Sequence, residues 1–108
     1  MLLITSLCLV EVGNAFQLSV FRGIMTGAEA RAAASGLDDD IDAGFVTLTP
    51  FPAAAWEEAR RISAAHTPTI GARSLDILQV AAALSLGASR LLTFDRVQRK
   101  LASAVGLR

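Results

Sequence analysis

The sequence has few of the residues that build several common kinds of functional site. It has 108 residues and one cysteine, Cys8, which excludes a disulfide framework and a zinc site made of cysteines. Its one histidine, His66, falls in a predicted loop with no recognisable nucleophile pattern, so a catalytic triad is not supported. Glycine-rich nucleotide-binding patterns and the G-x-S-x-G nucleophile pattern are also missing.

Neither sign of charge is in excess, because ten Lys and Arg balance ten Asp and Glu. This balance argues against a wholly basic nucleic-acid coat but allows a local basic patch. Glu11 interrupts the longest uncharged stretch, so no membrane span is predicted. Hydrophobic residues make up 53% of the chain, which excludes disorder. We expect a single domain over residues 1–108 in a reduced, cytoplasmic compartment.

Capping residues, glycines and alternating apolar residues predict the order β-α-α-β-α-α-β-α. Strands separated by helices indicate an α/β fold, with a parallel sheet covered by helices on both faces and ligands at the carboxyl ends of its strands. The predicted strands lie at 2–4, 45–49 and 91–94, and the predicted loops are an acidic one at 38–44 and one at 66–71. The first two predicted helices are one capped by Ser6 that ends near Phe21 and one opened by a Thr26–Glu29 capping box. The other three run from Pro52 to about Ala65, over 75–86 with Ser74 as the cap, and from Asp95 to Gly106.

Three of the ten acidic residues stand apart from other charges. Glu11 is the only charged residue before position 22, Asp76 is the only one between positions 73 and 90, and Asp95 follows an apolar strand. A carboxylate near a core must be paired, protonated or bound to a cation. Three that converge at strand ends repel one another unless a divalent metal lies between them. Ligands made only of oxygen favour Mg²⁺ or Mn²⁺ over zinc.

Each of these acids also has a purely structural explanation. Asp95 suits a helix N-cap, Asp76 is a favourable charge in a first helical turn, and Glu11 can pair with an arginine. Spacing alone leaves the metal site and the structural roles both open.

The C-terminal part of the chain is basic. Five basic residues stand against Asp95 between Arg90 and Arg108, which gives this segment a net charge of +4. Beside an acidic metal cluster, arginines such as Arg96 hold the phosphates of a phosphodiester substrate. An ordinary basic terminal helix explains the same pattern.

Several motifs together resemble those of PIN-domain ribonucleases, most closely the VapC-like toxins of bacterial toxin–antitoxin pairs. The resemblance covers essentially the whole chain, and only the combination of motifs is specific. The motifs are Thr5-Ser-x-x-x-x-Glu11-Val-x-Asn14-Ala, His66-Thr-Pro-Thr-x-x-x-Arg73, Arg73-Ser-Leu-Asp76 with the apolar helix that follows, Leu91-Leu-Thr-Phe-Asp95-x-x-Gln98 and Leu101-Ala-x-x-x-Gly106.

The resemblance implies an α/β/α sandwich whose acidic residues bind Mg²⁺ or Mn²⁺ and hydrolyse RNA. Carried over residue by residue, Glu11, Asp76 and Asp95 are the metal-binding and catalytic acids. Thr93 corresponds to a family position that orients a ligand or the acidic cluster. The implied partners are an RNA substrate, a cognate antitoxin protein and a second copy in a homodimer.

Two departures from the family pattern shape the expectation. The family normally opens with a central strand that ends in an aspartate, and no such segment precedes Glu11, so we expect an N-terminally truncated PIN-like domain. Gln79 stands where this branch often has histidine. The alternatives are an inactive PIN-like remnant that binds an antitoxin or dimerises through exposed apolar surface, and an unrelated α/β domain with structural acids.

Overall fold

A computed structural model of the chain describes residues 2–93 and 95–108. They form two compact units, Met1–Pro50 and Phe51–Arg108, so the single-domain expectation stays a prediction. The elements of the first unit are β1 (Leu2–Thr5), α1 (Ser6–Phe21), α2 (Gly27–Asp42) and β2 (Val46–Thr49). The elements of the second are α3 (Ala54–Ile70), α4 (Ser74–Ser85) and α5 (Arg96–Ala104).

The first unit is built on a pair of parallel strands. β1 pairs with β2 in a register that runs from Leu2 opposite Val46 to Thr5 opposite Thr49. Parallel strands require a long crossover connection, and α1 and α2 supply it here. The predicted α/β class with parallel strands is therefore confirmed.

Helix α1 begins one residue earlier than its predicted cap implies. Thr5 is extended, and its hydroxyl accepts a hydrogen bond from the Cys8 N–H at 3.2 Å. Ser6 is the first helical residue, so its prediction as the cap was wrong. Thr5 is also the last residue of β1 and is buried, so the strand ends and the helix is capped at the same residue.

Helix α2 opens as predicted but extends further. The Thr26 hydroxyl accepts from the Glu29 N–H at 3.1 Å, and the Glu29 carboxylate accepts from the Thr26 N–H at 3.0 Å. These bonds lower the pKa of Glu29. The predicted acidic loop at 38–44 is wrong as far as Asp42, since the helix continues to that residue. Ala43 is the C-cap, and Gly44, whose φ is 84°, follows it. Aspartate has only a weakly unfavourable helix propensity, whereas a glycine with positive φ ends a helix.

Three helices enclose the core of the second unit. Val80 of α4 and Leu101 of α5 are fully buried, and Ile62 of α3 is 3% exposed. Helix α3 continues to Ile70, so the predicted loop at 66–71 is wrong except at Gly71. Pro68 lies in the last turn, where it removes only one backbone donor, and Gly71 ends the helix with a φ of 72°.

The predicted strand at 91–94 does not form over 91–93, and Phe94 lies outside the described residues. The Leu91 N–H donates to the Arg108 carbonyl at 2.8 Å, and the Arg108 N–H donates to the Ser89 carbonyl at 3.2 Å. These two backbone bonds tie residues 89 and 91 to Arg108 at the end of the chain, but they form no strand ladder. The prediction of a strand was therefore wrong over 91–93.

Helix α1 has no buried residue, although it is rich in apolar side chains. Phe21 is 87% exposed and Val10 68% exposed. Among the described residues, no helix is long and apolar enough to cross a membrane.

Candidate active site

Asp76 lies in the first turn of α4 and is half-buried. Its Oδ2 accepts a hydrogen bond from the Arg73 N–H at 3.2 Å. Arg73 is extended and occupies the cap position, so Ser74 is the first helical residue and not the predicted cap. The carboxylate thus satisfies one of the backbone donors that a helix leaves open at its start.

Asp95 is the N-cap of α5, as its predicted structural role requires. Its Oδ1 accepts from the Gln98 N–H at 2.8 Å. Its own N–H donates to the Thr93 hydroxyl at 3.0 Å. Thr93 therefore binds the backbone of Asp95, while the helix binds its carboxylate.

The two aspartates share one arrangement within the second unit. Each carboxylate accepts a backbone hydrogen bond with one oxygen at the start of a helix. Their other oxygens, Asp76 Oδ1 and Asp95 Oδ2, accept no hydrogen bond from the described residues. Neither aspartate forms an ion pair within that part of the chain. Each side chain therefore combines a structural role with an oxygen that can still bind a ligand.

Glu11 lies in the second turn of α1, in the first unit. It is half-buried, and Asn14 follows it three residues later on the same side of the helix. Within residues 2–93 and 95–108, no three His, Cys, Asp or Glu side chains are grouped so that they could hold a metal ion. The common role of Glu11, Asp76 and Asp95 therefore stays a prediction.

The donor chemistry of these residues fits a hard divalent cation. All three candidate ligands are carboxylates, the type that Mg²⁺ and Mn²⁺ prefer. Asp76 and Asp95 each present an oxygen that no described Lys or Arg neutralises. The other oxygen of each of these two carboxylates accepts a hydrogen bond from a backbone N–H, which limits the rotation of the side chain.

Helix α5 presents a basic face next to Asp95. Arg96, Arg99 and Lys100 are exposed, whereas Leu101 and Ala102 are buried. The Arg99 Nη2 atom also donates to the Thr93 carbonyl at 3.3 Å. Arg96 directly follows Asp95 and is the first residue of α5.

The comparison with known protein families gives a match to the PIN domain over residues 3–104. The chain belongs to the PIN domain family. PIN domains are typically nucleases, and they usually use divalent metal ions. A comparison with curated proteins found no match.

The PIN match includes every residue predicted for the site. Glu11, Asp76 and Asp95 all lie within the matched range, as do Thr93 and Arg96. The predicted membership of the family is thereby confirmed, and so is the α/β class that goes with it.

Two contacts of this PIN domain were not predicted from the sequence. One joins the Asp76 carboxylate to the Arg73 N–H, and the other joins Arg99 to the Thr93 carbonyl. The first contact could have been predicted from sequence spacing, because an acidic residue three positions after a helix cap often accepts a hydrogen bond from the backbone N–H of the cap residue. The second depends on the reach of a long side chain across six residues, which no local pattern encodes.

Proposed function

We propose that this PIN domain is a Mg²⁺- or Mn²⁺-dependent endoribonuclease, the toxin of a VapC-like toxin–antitoxin pair. One observation carries the proposal beyond the family match. Asp76 and Asp95 are oriented by helix starts, and each keeps one carboxylate oxygen without a partner among the described residues.

In this proposal, Glu11, Asp76 and Asp95 hold the metal and form the catalytic centre. The bound metal supplies a Lewis acid that activates water and stabilises the charge that develops on a phosphodiester. The protein's contribution is to present carboxylate oxygens in a fixed orientation. The Arg73 and Gln98 backbone N–H groups do this for the two aspartates.

The substrate is RNA, and Thr93 and Arg96 are its contacts. Arg96 is exposed on the first turn of α5, directly after Asp95, where it can pair with a phosphate beside the cleaved bond. Thr93 binds the Asp95 N–H through its hydroxyl and is half-exposed. In this proposal, Thr93 therefore both contacts the substrate and holds Asp95 in position.

The partners in this proposal are a cognate antitoxin protein and a second copy of the chain, in the cytoplasm. Exposed apolar side chains on and after α1 support a protein partner, with Phe21 87% and Ile24 75% exposed. Exposed apolar side chains that group into one patch are typical of interaction sites.

The test is cleavage of a mixed RNA pool by the purified chain, compared with Asp76→Asn and Asp40→Asn. Both changes remove one negative charge, but Asp40 lies on α2 in the first unit and has no part in the proposed site. We expect Asp76→Asn to abolish cleavage and Asp40→Asn to leave it unchanged. Equal cleavage by both variants would contradict the site assignment, and a folded chain that never cleaves RNA would favour the inactive binding module.

A further inference from the structure

Arg99 differs in its contacts from the basic residues around it. It lies in the first half of α5, and its guanidinium turns back to the Thr93 carbonyl, six residues earlier in the chain. An exposed arginine on a nuclease surface is ordinarily assigned to the phosphates of the substrate. Here one of its donors already has an intramolecular acceptor at 3.3 Å.

Thr93 is held to α5 from two sides. Its carbonyl accepts from Arg99, and its hydroxyl accepts from the Asp95 N–H at 3.0 Å. The Asp95 carboxylate then accepts from the Gln98 N–H at 2.8 Å. These three hydrogen bonds connect Arg99, Thr93, Asp95 and Gln98 in one series. Loss of the bond from Arg99 to the Thr93 carbonyl therefore loosens the backbone that carries Asp95.

We propose that Arg99 is a positioning residue for Asp95. By holding the Thr93 carbonyl, it fixes the orientation in which Asp95 Oδ2 meets the divalent cation. This inference rests on the proposed function of Asp95 as a metal ligand. It assigns Arg99 to the geometry of the acid and not to the binding of RNA.

The physical reason is preorganisation. Asp95 is exposed and precedes a helix of nine residues, so little packing around its side chain limits its motion. When a coordinating side chain becomes ordered only as the cation binds, the loss of its conformational entropy lowers the affinity for the cation. One hydrogen bond that orders it in advance is expected to change that affinity by about fivefold.

The experiment compares Arg99→Met, Arg99→Lys and Lys100→Met in the full chain. Met keeps a long helix-forming side chain but has no donor, whereas Lys keeps the positive charge and an ammonium group that can donate. Lys100→Met is the matched control, because it removes the same charge from the next residue of α5. Mn²⁺ binding is followed by the loss of the electron paramagnetic resonance signal of the free ion. Hydrogen exchange of the Asp95 and Gln98 amides is followed by NMR without metal.

We expect Arg99→Met to raise the Mn²⁺ concentration for half-occupancy about fivefold and to speed exchange at both amides. Arg99→Lys should restore most of both values, and Lys100→Met should change neither. Equal Mn²⁺ binding by Arg99→Met and Lys100→Met would overturn the inference. So would a higher KM for RNA with unchanged Mn²⁺ binding, since that result indicates a phosphate contact.

The failure of the proposed function has a different signature. If Asp95→Asn binds Mn²⁺ as the wild type does, Asp95 is not a metal ligand and the proposed function is overturned at that residue. Unchanged exchange of both amides in Arg99→Met overturns the positioning role by itself, whatever the Mn²⁺ titration shows.

Discussion

Asp95 has two roles in this account, and a pair of substitutions separates them. As the N-cap of α5 it accepts a hydrogen bond from the Gln98 N–H, and as a metal ligand it offers its second oxygen. Asn caps a helix about as well as Asp does, whereas Ala provides no acceptor. Asp95→Asn therefore keeps the first role and removes the charge that the second requires, and Asp95→Ala removes both.

The magnitudes follow from the structure. Loss of the cap costs about 1 kcal/mol. Because α5 contributes the fully buried Leu101 to the core, fraying of its first turn should reach the whole second unit. In a chain of this size, that cost lowers Tm by about 4 °C. Loss of outer-shell groups around a metal already costs about 10- to 100-fold in affinity or activity, so loss of a direct ligand should cost about 100-fold or more.

The assays are thermal unfolding followed by circular dichroism and initial rates of RNA cleavage with Mn²⁺. We expect Asp95→Asn to melt within about 2 °C of the wild type and to lose activity. Asp95→Ala should lose activity and also melt at the lower temperature. Wild-type cleavage by Asp95→Asn would refute the ligand role, and an unchanged Tm for Asp95→Ala would refute the capping role.

Three further predictions concern stability. Leu101→Ala should cost about 3 kcal/mol in urea unfolding, because the leucine is fully buried in the core, and a cost below about 1 kcal/mol would contradict that packing. Gly44→Ala should destabilise by about 1 kcal/mol because φ is 84°, whereas Gly36→Ala within α2, where the backbone is helical and there is open space, should stabilise by a similar amount. Folding lowers the pKa of Glu29 through its bonds to Thr26. The contribution of this residue to the free energy of unfolding is therefore complete above its unfolded pKa and is lost as the pH falls through its folded pKa. Glu29→Gln should remove that part of the acid dependence, and an unchanged pH profile of unfolding would contradict the capping box.

Features of the fold that depend on a few neighbouring residues were predictable from the sequence. The Thr26–Glu29 capping box, the Asp95 cap and the end of α1 at Phe21 are all set by short-range hydrogen bonds and are confirmed. The segment at 91–93 was mispredicted as a strand because strand formation requires a partner from elsewhere in the chain. Among the described residues, its one backbone–backbone hydrogen bond joins Leu91 to Arg108.

The errors in helix length have a related cause. The aspartates near Asp40 and the proline at position 68 are unfavourable in helices, but neither outweighs the backbone bonds and packing of the helix around it. For the site, isolation in sequence singled out Asp76 and Asp95. It did not reveal the Arg99–Thr93 contact, which depends on side-chain reach alone.

The most direct test of the central claim is metal-dependent RNA cleavage by the unmodified chain. Purified protein is stripped with EDTA, mixed with an RNA pool, and assayed before and after Mn²⁺ is restored in excess. The account predicts no cleavage in EDTA and full recovery with Mn²⁺. Cleavage that persists in EDTA would contradict the proposal that Glu11, Asp76 and Asp95 act through a divalent metal.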